Sequence, residues 1–229
     1  MTVRLVKHSA SDADVVFAAR VSTKGPESLP AGGDLGPTEL ALINFLMKDR
    51  HGSPFEHNSM TFYVEAPIFV LREWQRHRIA SYNEESARYR ELKPVFYVPA
   101  EDRNLVQVGK PGHYRFEPGS KWQERSVRYG IETNSYEAWS VYRDLLNEGI
   151  AREVARSVLP VNVYSSMYVT MNARSLMHFL SLRTSNTEAL FPSHPQREIE
   201  MCAEQVEAIF ADLMPVTYGA FQGYGRVAP

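Results

Sequence analysis

Cysteine is almost absent from this sequence of 229 residues, which contains only Cys202. A single cysteine excludes an internal disulfide and any zinc site built from several cysteines. No apolar run approaches the roughly 20 residues that a membrane-spanning helix requires, and the first residues turn polar too soon for a signal peptide. We therefore expect a cytoplasmic protein that has no membrane partner.

The sequence also lacks an excess of charge of either sign, because 25 Lys and Arg residues stand against 27 Asp and Glu residues. Proteins dedicated to nucleic acid usually present a broad basic surface. The balance argues against that class, although it leaves room for one concentrated anion pocket. The spacings of His51, His57 and His77 are not zinc-like and no acidic cluster accompanies them, so we predict no metal site.

The length favours one domain over residues 1–229. Strand-like and helix-like segments do not alternate regularly, which predicts an α+β fold with an antiparallel or mixed β-sheet packed against long helices. Helix-capping residues, 3.6-residue periodicity and β-branched runs locate the elements. Helices are predicted over 11–22, 38–49, 67–80, 120–147, 151–159, 172–183 and 195–213, strands over 60–66, 94–99 and 161–171, and loops over 22–37 and 100–119.

Positive charge is concentrated in residues 76–90, RHRIASYNEESARYR, which hold four arginines and a histidine. Arg72 and Arg76 share a helix face, with no acid at a spacing that pairs with both. Ser81 and Asn83 are turn and capping residues, so the helix should end near Ala80. The arginines beyond that point then return from a second segment of backbone.

Several guanidinium groups brought together repel one another unless an anion lies between them. Arginine suits a phosphate because its planar fork donates two parallel hydrogen bonds. Asn83, Glu84 and Ser86 add neutral donors and an acceptor, and the combination suits a nucleotide. A solvated helix face is the alternative, and it fits poorly because the charges are not paired.

Residues Arg76 to Ser86 follow the pattern Arg-His-Arg, seven residues and then Ser. This pattern resembles the signature of the flavin-dependent thymidylate synthases. The longer pattern of that family is intact as far as Tyr89. Four further blocks resemble the family and occur in its order, so that the similarity covers roughly residues 15–212. These blocks are SPFEH (53–57), APIFV (66–70), REVARSVLP (152–160) and NARSLMHFLSLR (172–183).

The resemblance implies a homotetramer whose active sites are shared between chains. It implies that NADPH reduces a bound FAD and that methylenetetrahydrofolate supplies the carbon that converts dUMP to dTMP. The alternative from another class is a non-catalytic module that binds a nucleotide or RNA through the same arginines and tyrosines.

The resemblance also implies which residues hold dUMP. Arg88 and Arg156 would contact its phosphate, and Arg183 would lie at the uracil ring, where a cation favours the N3-deprotonated form. Ser86 would orient the pyrimidine as a hydrogen-bond donor rather than act as a nucleophile, so Arg183 and Ser86 are the catalytic candidates. The full dUMP set is Glu73, Trp74, Gln75, Arg76, Glu84, Glu85, Ser86, Ala87, Arg88, Arg156 and Arg183.

By the same resemblance, a second set of residues holds the flavin. Cations beside the isoalloxazine favour its reduced, anionic form, which is the hydride donor. His51 would lie near the outer flavin face, where the folate stacks. The FAD set is Ser53, Arg76, His77, Arg78, Glu84, Asn172, Ala173, Arg174 and His178.

Two of these residues differ from some relatives. Glu73 replaces a glutamine, and an ionised carboxylate only accepts hydrogen bonds whereas an amide also donates them. Glu73 could instead pair with Arg72 or Arg76. His178 replaces an asparagine, and either side chain can donate to the edge of a flavin.

Other candidates have ordinary structural explanations. Cys202 shares a helical face with Ile199, Val206 and Phe210, which predicts a small core residue rather than a nucleophile. For Arg174, near the start of a helix, a backbone or carboxylate contact is the alternative to a flavin contact.

Overall fold

The computed structural model describes residues 1–28, 35–111 and 113–229. Six β-strands lie within these ranges. They are β1 (Thr2–His8), β2 (Met60–Pro67), β3 (Ser81–Glu84), β4 (Val106–Lys110), β5 (His113–Glu117) and β6 (Tyr164–Met171).

Eight α-helices lie in the same described ranges. They are α1 (Asp12–Lys24), α2 (Pro37–Lys48), α3 (Ile68–Trp74), α4 (Lys121–Asn147), α5 (Arg152–Ala155), α6 (Ala173–Arg183), α7 (Arg197–Leu213) and α8 (Pro215–Gly223). The mixture of helices with antiparallel strand pairs confirms the predicted α+β class. In the described part of the chain, no helix combines the length and the apolar character that crossing a membrane requires.

The strands form a four-stranded sheet in the order β1-β2-β6-β3 and a separate β4–β5 hairpin. The β1–β2 and β3–β6 pairs are antiparallel. The chain divides into a first unit, Met1–Ala66 with Val70–Glu84 and Ser166–Pro229, and a second unit, Pro67–Phe69 with Glu85–Ser165. The prediction of one domain over 1–229 stays a prediction.

In the first unit, α7 buries the face that the sequence periodicity indicated. Ile199, Cys202, Val206 and Phe210 are all fully buried. Burial raises the pKa of the Cys202 thiol to about 12, so that a thiolate nucleophile is not available at neutral pH. The prediction that Cys202 is a core residue is confirmed.

The N-terminus of α1 is capped by neighbouring residues, and one side chain of α1 caps the N-terminus of α8. Ser11 and Asp14 form the reciprocal hydrogen bonds of a capping box at the start of α1. The buried carboxylate of Asp12 accepts the backbone N–H groups of Val216 at 2.9 Å and Thr217 at 2.8 Å. These are otherwise unpaired donors of the first turn of α8.

The second unit contains the longest helix and a small core. Ser120 caps α4 at the predicted start, and Ala87, Leu92 and Val163 form a buried cluster. Along α4, Trp122, Tyr129 and Tyr136 repeat every seven residues. Their exposed fractions are 75%, 72% and 70%, so these three residues form an aromatic stripe on the surface of this unit.

Two predictions of local structure were wrong around the arginine cluster. Helix α3 ends at Trp74 rather than near Ala80. Ser81 and Asn83, predicted to form a turn, belong to β3 and pair with Thr170 and Tyr168 of β6. Pairing with a neighbouring strand here outweighs the weak local preference of Ser and Asn for turns.

Other boundaries also differ from the predictions. Residues 94–99 make only an isolated bridge, from Phe96 to Val163, and the predicted loop 100–119 contains the β4–β5 hairpin. Gly36, not Thr38, caps α2, since Pro37 occupies the first helical position. The start of the predicted loop 22–37 is helical as far as Ser28, and residues 29–34 lie outside the described residues.

Candidate active site

A pocket of about 180 Å³ lies in the first unit, beside the segment that follows α3 and along α6. It brings together five of the site residues predicted from the sequence, including the complete Arg-His-Arg triplet. Its lining residues are Arg76, His77, Arg78, Ile79, Met171, Ser175, His178, Leu182 and Arg183.

Arg183, the last residue of α6, makes the central polar contacts of this pocket. Its Nε donates to Nε2 of His77 at 3.0 Å, and one terminal nitrogen donates to Oε2 of Glu73 at 3.0 Å. An imidazole nitrogen that accepts a hydrogen bond carries no proton, so His77 is neutral with its proton on Nδ1. Burial first, and then the charges of Arg183 and His178, lower the pKa of His77 to about 4.

Glu73 forms an ion pair with Arg183. The alternative prediction, that Glu73 pairs with Arg72 or Arg76, is wrong. Burial raises the pKa of the Glu73 carboxyl, the Arg183 guanidinium opposes that change, and Glu198 reinforces it. Glu73 and His77 together contact all three nitrogens of the Arg183 guanidinium, because its other terminal nitrogen lies 3.5 Å from the Glu73 carbonyl oxygen. The two N–H groups beyond these contacts are the ones available to a ligand.

A tertiary contact explains why α3 ends where it does. The Tyr82 hydroxyl lies 2.9 Å from the carbonyl oxygen of Trp74 and 2.7 Å from the carbonyl oxygen of His77. It is the donor to both, and the two carbonyl oxygens share its single proton. Burial raises the pKa of Tyr82 to about 12, so the hydroxyl stays a donor. The Trp74 indole is fully buried and stacks on Phe179 at 5.0 Å. Tyr82 and the buried indole therefore fix the turn that carries the triplet.

Arg76 and Arg78 are the unpaired cations of the pocket. Both side chains are exposed, and among the described residues neither guanidinium has an ion-pair or hydrogen-bond partner. Beside them, Ile79 and Leu182 are 74% and 46% exposed and form an apolar edge. Free guanidinium groups next to exposed apolar side chains suit a flat aromatic ligand that carries negative charge.

The N-terminus of α6 is held by two asparagines. Asn172 accepts the N–H of Ser175 at 2.9 Å and so caps the helix at its predicted start. Asn58, which is buried and which no sequence pattern marked, accepts the N–H of Ala173 at 2.8 Å. The side-chain oxygen of Asn172 is thus engaged with its own helix, and Ala173 is buried.

Arg174 makes the two kinds of contact that were the alternatives to a flavin contact. Its Nε donates to the carbonyl oxygen of Pro229 at 2.6 Å, and a terminal nitrogen lies 2.5 Å from Oε1 of Glu56. A Cβ atom on Gly52 would lie 2.6 Å from the guanidinium. Glycine at position 52 therefore allows this arginine to pack against the backbone just before Ser53.

Most of the other predicted nucleotide contacts lie in the second unit. The backbone carbonyl of Ser86 accepts hydrogen bonds from the backbone N–H groups of Tyr89 and Arg90. The Ser86 hydroxyl accepts a third, from the backbone N–H of Arg88 at 3.3 Å, so these residues form a tight turn. The Arg88 guanidinium pairs with Glu153 at 3.0 Å.

The remaining predicted residues are also located. Arg156 of the second unit is exposed, and no described residue pairs with its guanidinium. Glu85 of that unit pairs with Arg90 at 3.0 Å, and Ala87 is buried there. In the first unit, Gln75 donates to Glu84 at 3.2 Å. The ring of His51, also in that unit, lies 5.5 Å from the Phe45 ring.

Comparison with known proteins assigns the chain to a family. Residues 4–216 match the family described as Thymidylate synthase complementing protein. The flavin-dependent thymidylate synthases of Streptomyces avermitilis and Tropheryma whipplei are each 59% identical over all of this chain and 94–95% of their own lengths. That of Thermotoga neapolitana is 42% identical over 97% of this chain and 91% of its length. The chain belongs to the flavin-dependent thymidylate synthase family.

Solved structures agree with that family assignment. The UMP/dUMP methylase PolB of Streptomyces cacaoi, bound with 5-Br dUMP, superposes with a TM-score of 0.93 at 56% identity, covering all of this chain and 97% of that one. The same protein bound with 5-Br UMP superposes with a TM-score of 0.91 at 55% identity. The resemblance inferred from the sequence motifs is confirmed, and family membership favours the enzyme over the RNA-binding module.

For a flavin-dependent thymidylate synthase, the pocket residues fit the cofactor. Arg76 and Arg78 offer unpaired positive charge, while Ile79 and Leu182 offer an apolar surface for a flat ring. His77 is neutral and His178 is exposed at the pocket wall, where its ring can reach the polar edge of a ligand. Among the described residues, no group of three or more His, Cys, Asp or Glu side chains is arranged to hold a metal ion.

Proposed function

We propose that this protein catalyses the reductive methylation of dUMP to dTMP in the cytoplasm, with methylenetetrahydrofolate as carbon donor and NADPH as reductant through FAD. The observation that carries the proposal is the pocket in which the Arg-His-Arg triplet meets Arg183 and His178. Two unpaired guanidinium groups lie there beside an apolar edge, in a chain whose one cysteine is buried.

The flavin site in this proposal is built on the triplet. The cations Arg76 and Arg78 stabilise negative charge on the isoalloxazine, and His178 donates a hydrogen bond to its edge. Neutral His77 supports the site from the pocket wall without adding charge. When bound, FAD supplies the hydride chemistry between NADPH and the nucleotide. Ser53, Glu84, Asn172, Ala173 and Arg174 complete the proposed set.

The nucleotide site in this proposal uses Arg183 at the uracil ring. The N–H groups that Glu73 and His77 leave free face a pyrimidine carbonyl, and the positive charge favours an anionic pyrimidine, which polarises it for attack at C6. Arg88 and Arg156 hold the phosphate and Ser86 orients the ring as a hydrogen-bond donor. The remaining proposed contacts are Glu73, Trp74, Gln75, Arg76, Glu84, Glu85 and Ala87.

We further propose a homotetramer, with the two units folding as one domain and each active site shared between chains. A volume of about 180 Å³ is below the roughly 300–1,000 Å³ of a complete small-molecule site, which supports completion by another chain. The aromatic stripe of Trp122, Tyr129 and Tyr136 on α4 is an apolar surface suited to such an assembly. The exposed His51 ring is the proposed folate contact.

The decisive experiment combines a spectrum with an assay. The purified protein should bind FAD, visible as flavin absorbance, and should form dTMP from dUMP only when NADPH and methylenetetrahydrofolate are both present. UMP is the matched competitor, because the PolB structures contain analogues of both nucleotides. A protein that takes up no FAD, or that oxidises no NADPH in the presence of dUMP, would contradict the proposal.

A further inference from the structure

A buried arginine lies behind the pocket. The Arg226 side chain is 4% exposed, and its guanidinium contacts both carboxylate oxygens of Glu207, at 2.6 and 3.1 Å. Its remaining contact in this network is with the Thr184 hydroxyl at 2.6 Å. Thr184 directly follows Arg183, so one buried cation contacts the side chain of the residue next to the central residue of the pocket.

Stability alone does not account for this arrangement. Burying a guanidinium is costly, and a buried ion pair is often matched or exceeded in stability by apolar residues of similar volume. Arg226 also has φ of 56°, in the left-handed region that few residues other than glycine adopt. Its backbone N–H is fixed to the carbonyl of Phe221 at 2.8 Å. The main chain is therefore held in an uncommon conformation that aims this side chain at Thr184.

The end of α6 depends on Thr184. The Thr184 hydroxyl donates to the carbonyl of Leu180 at 2.7 Å while it accepts from Arg226, and its own carbonyl accepts from Ser193 at 3.0 Å. These contacts fix the point at which the helix stops, and Arg183 is its last helical residue.

We propose that Arg226, acting through Thr184, is a positioning residue for Arg183. The inference rests on the proposed function, in which Arg183 contacts the pyrimidine. Glu207 neutralises the charge of Arg226, so the effect is geometric: the Thr184 contact fixes the backbone, and the backbone sets where the Arg183 guanidinium lies. Without it, Arg183 loses its alignment on His77 and on the nucleotide.

The test compares Thr184→Val, which is nearly the same shape but lacks the hydroxyl, with Thr184→Ser, which keeps it. The first readout is the NMR titration of His77 without nucleotide, because Arg183 donates to its ring. Thr184→Val should raise the pKa of His77 from about 4 towards its ordinary value, and Thr184→Ser should leave it unchanged. An unchanged titration in Thr184→Val overturns the proposal, whatever the ligand proves to be.

The second readout is the dissociation constant of dUMP, measured calorimetrically on the FAD-bound enzyme. Thr184→Val should weaken dUMP binding by about three- to tenfold, the range expected for the loss of one ordinary hydrogen bond. In an Arg183→Ala background it should have no further effect, since the two residues act together. Equal losses in both backgrounds, or no rescue by Thr184→Ser, contradict the positioning role.

A further variant tests Arg226 itself while leaving no buried charge unpaired. Replacing Arg226 and Glu207 together with methionine removes the ion pair but keeps similar volume. This double variant should remain folded by thermal denaturation and should shift the His77 titration as Thr184→Val does, and an unshifted titration in the folded variant contradicts the role. If His77 shifts but the wild-type protein binds no dUMP, the positioning role stands and the proposed function fails.

Discussion

His77 should remain neutral until the pH falls well below 5, and its protonation should destabilise the fold. The ordinary histidine pKa of 6.5 applies to the unfolded chain, and that of His77 in the folded protein is about 4. The folded state therefore binds the proton less well than the unfolded state. The stability that this difference contributes is fully present above pH 6.5 and is lost as the pH falls towards 4.

The magnitude follows from the gap between the two values. The pKa of His77 differs between the two states by 6.5 − 4, or about 2.5. This difference corresponds to about 3 kcal/mol, because one pKa unit is worth about 1.4 kcal/mol. His77 is only partly buried, so solvent screening reduces the contribution to about 1–2 kcal/mol. Burial is the largest cause of the lowered pKa and the charge of Arg183 is the next. Protonating His77 breaks the hydrogen bond from Arg183 Nε and places two cations side by side.

The assay compares wild-type protein with His77→Gln, whose amide oxygen still accepts from Arg183. Urea denaturation at pH 7.5 and pH 4.5, at fixed protein and FAD concentrations, gives the loss of unfolding free energy for each protein. Wild type should lose about 1–2 kcal/mol more than His77→Gln, since the carboxylates titrate alike in both. Equal losses, or an NMR titration of His77 near pH 6.5, would refute the reasoning.

Four further variants test separate parts of the structure. Arg183→Ala should abolish dTMP formation while most of the flavin absorbance stays with the protein. Cys202→Ser should keep its turnover, because the thiol is buried and protonated. Asn58→Ala should lower the free energy of unfolding by about 1–3 kcal/mol, measured by urea denaturation, because it leaves the buried N–H of Ala173 without its acceptor. Tyr129→Lys should shift the assembly towards smaller species in sedimentation velocity, since it places a charge within the aromatic stripe.

Each of these expectations has a contrary result. Normal turnover in Arg183→Ala contradicts its role at the uracil ring, and an inactive but well-folded Cys202→Ser variant would reverse the assignment of that thiol to the core. Asn58→Asp is the control for Asn58→Ala, because its carboxylate still accepts a hydrogen bond. Equal stability of Asn58→Ala and wild type would contradict the capping role of Asn58. An unchanged sedimentation coefficient for Tyr129→Lys removes the stripe from the proposed interface.

Elements with strong local signals were predictable from the sequence. Ser11, Ser120 and Asn172 cap helices where their positions indicated, because a cap needs only its own side chain and the next turn of backbone. The hairpin at 106–117 was missed although it has a local signal, because Val106, Val108, Tyr114 and Phe116 alternate with other residues on either side of Pro111. The loop prediction gave more weight to the prolines and polar residues of this segment. The end of α3 at Trp74 depends on the hydroxyl of Tyr82, a residue that lies beyond the turn in the sequence. The sequence of the helix itself therefore does not reveal where it ends.

The candidate site divides in the same way. Arg76, His77 and Arg78 are marked by a motif, and Arg183 and His178 by a second block, so their meeting in one pocket was foreseeable from the resemblance. Asn58, Thr184 and Arg226 belong to no pattern. Their roles arise from hydrogen bonds that join residues far apart in the chain, which periodicity and spacing do not encode.

The carboxylate of Asp12 joins the first helix of the chain to the last. Because this side chain belongs to the first turn of α1 and accepts the opening N–H groups of α8, a substitution at position 12 acts more than two hundred residues downstream. Hydrogen-exchange maps of such a variant should therefore show protection falling at both extremities together, while the intervening strands keep theirs. For this protein, proximity along the polypeptide is a poor guide to which segments open as one cooperative unit.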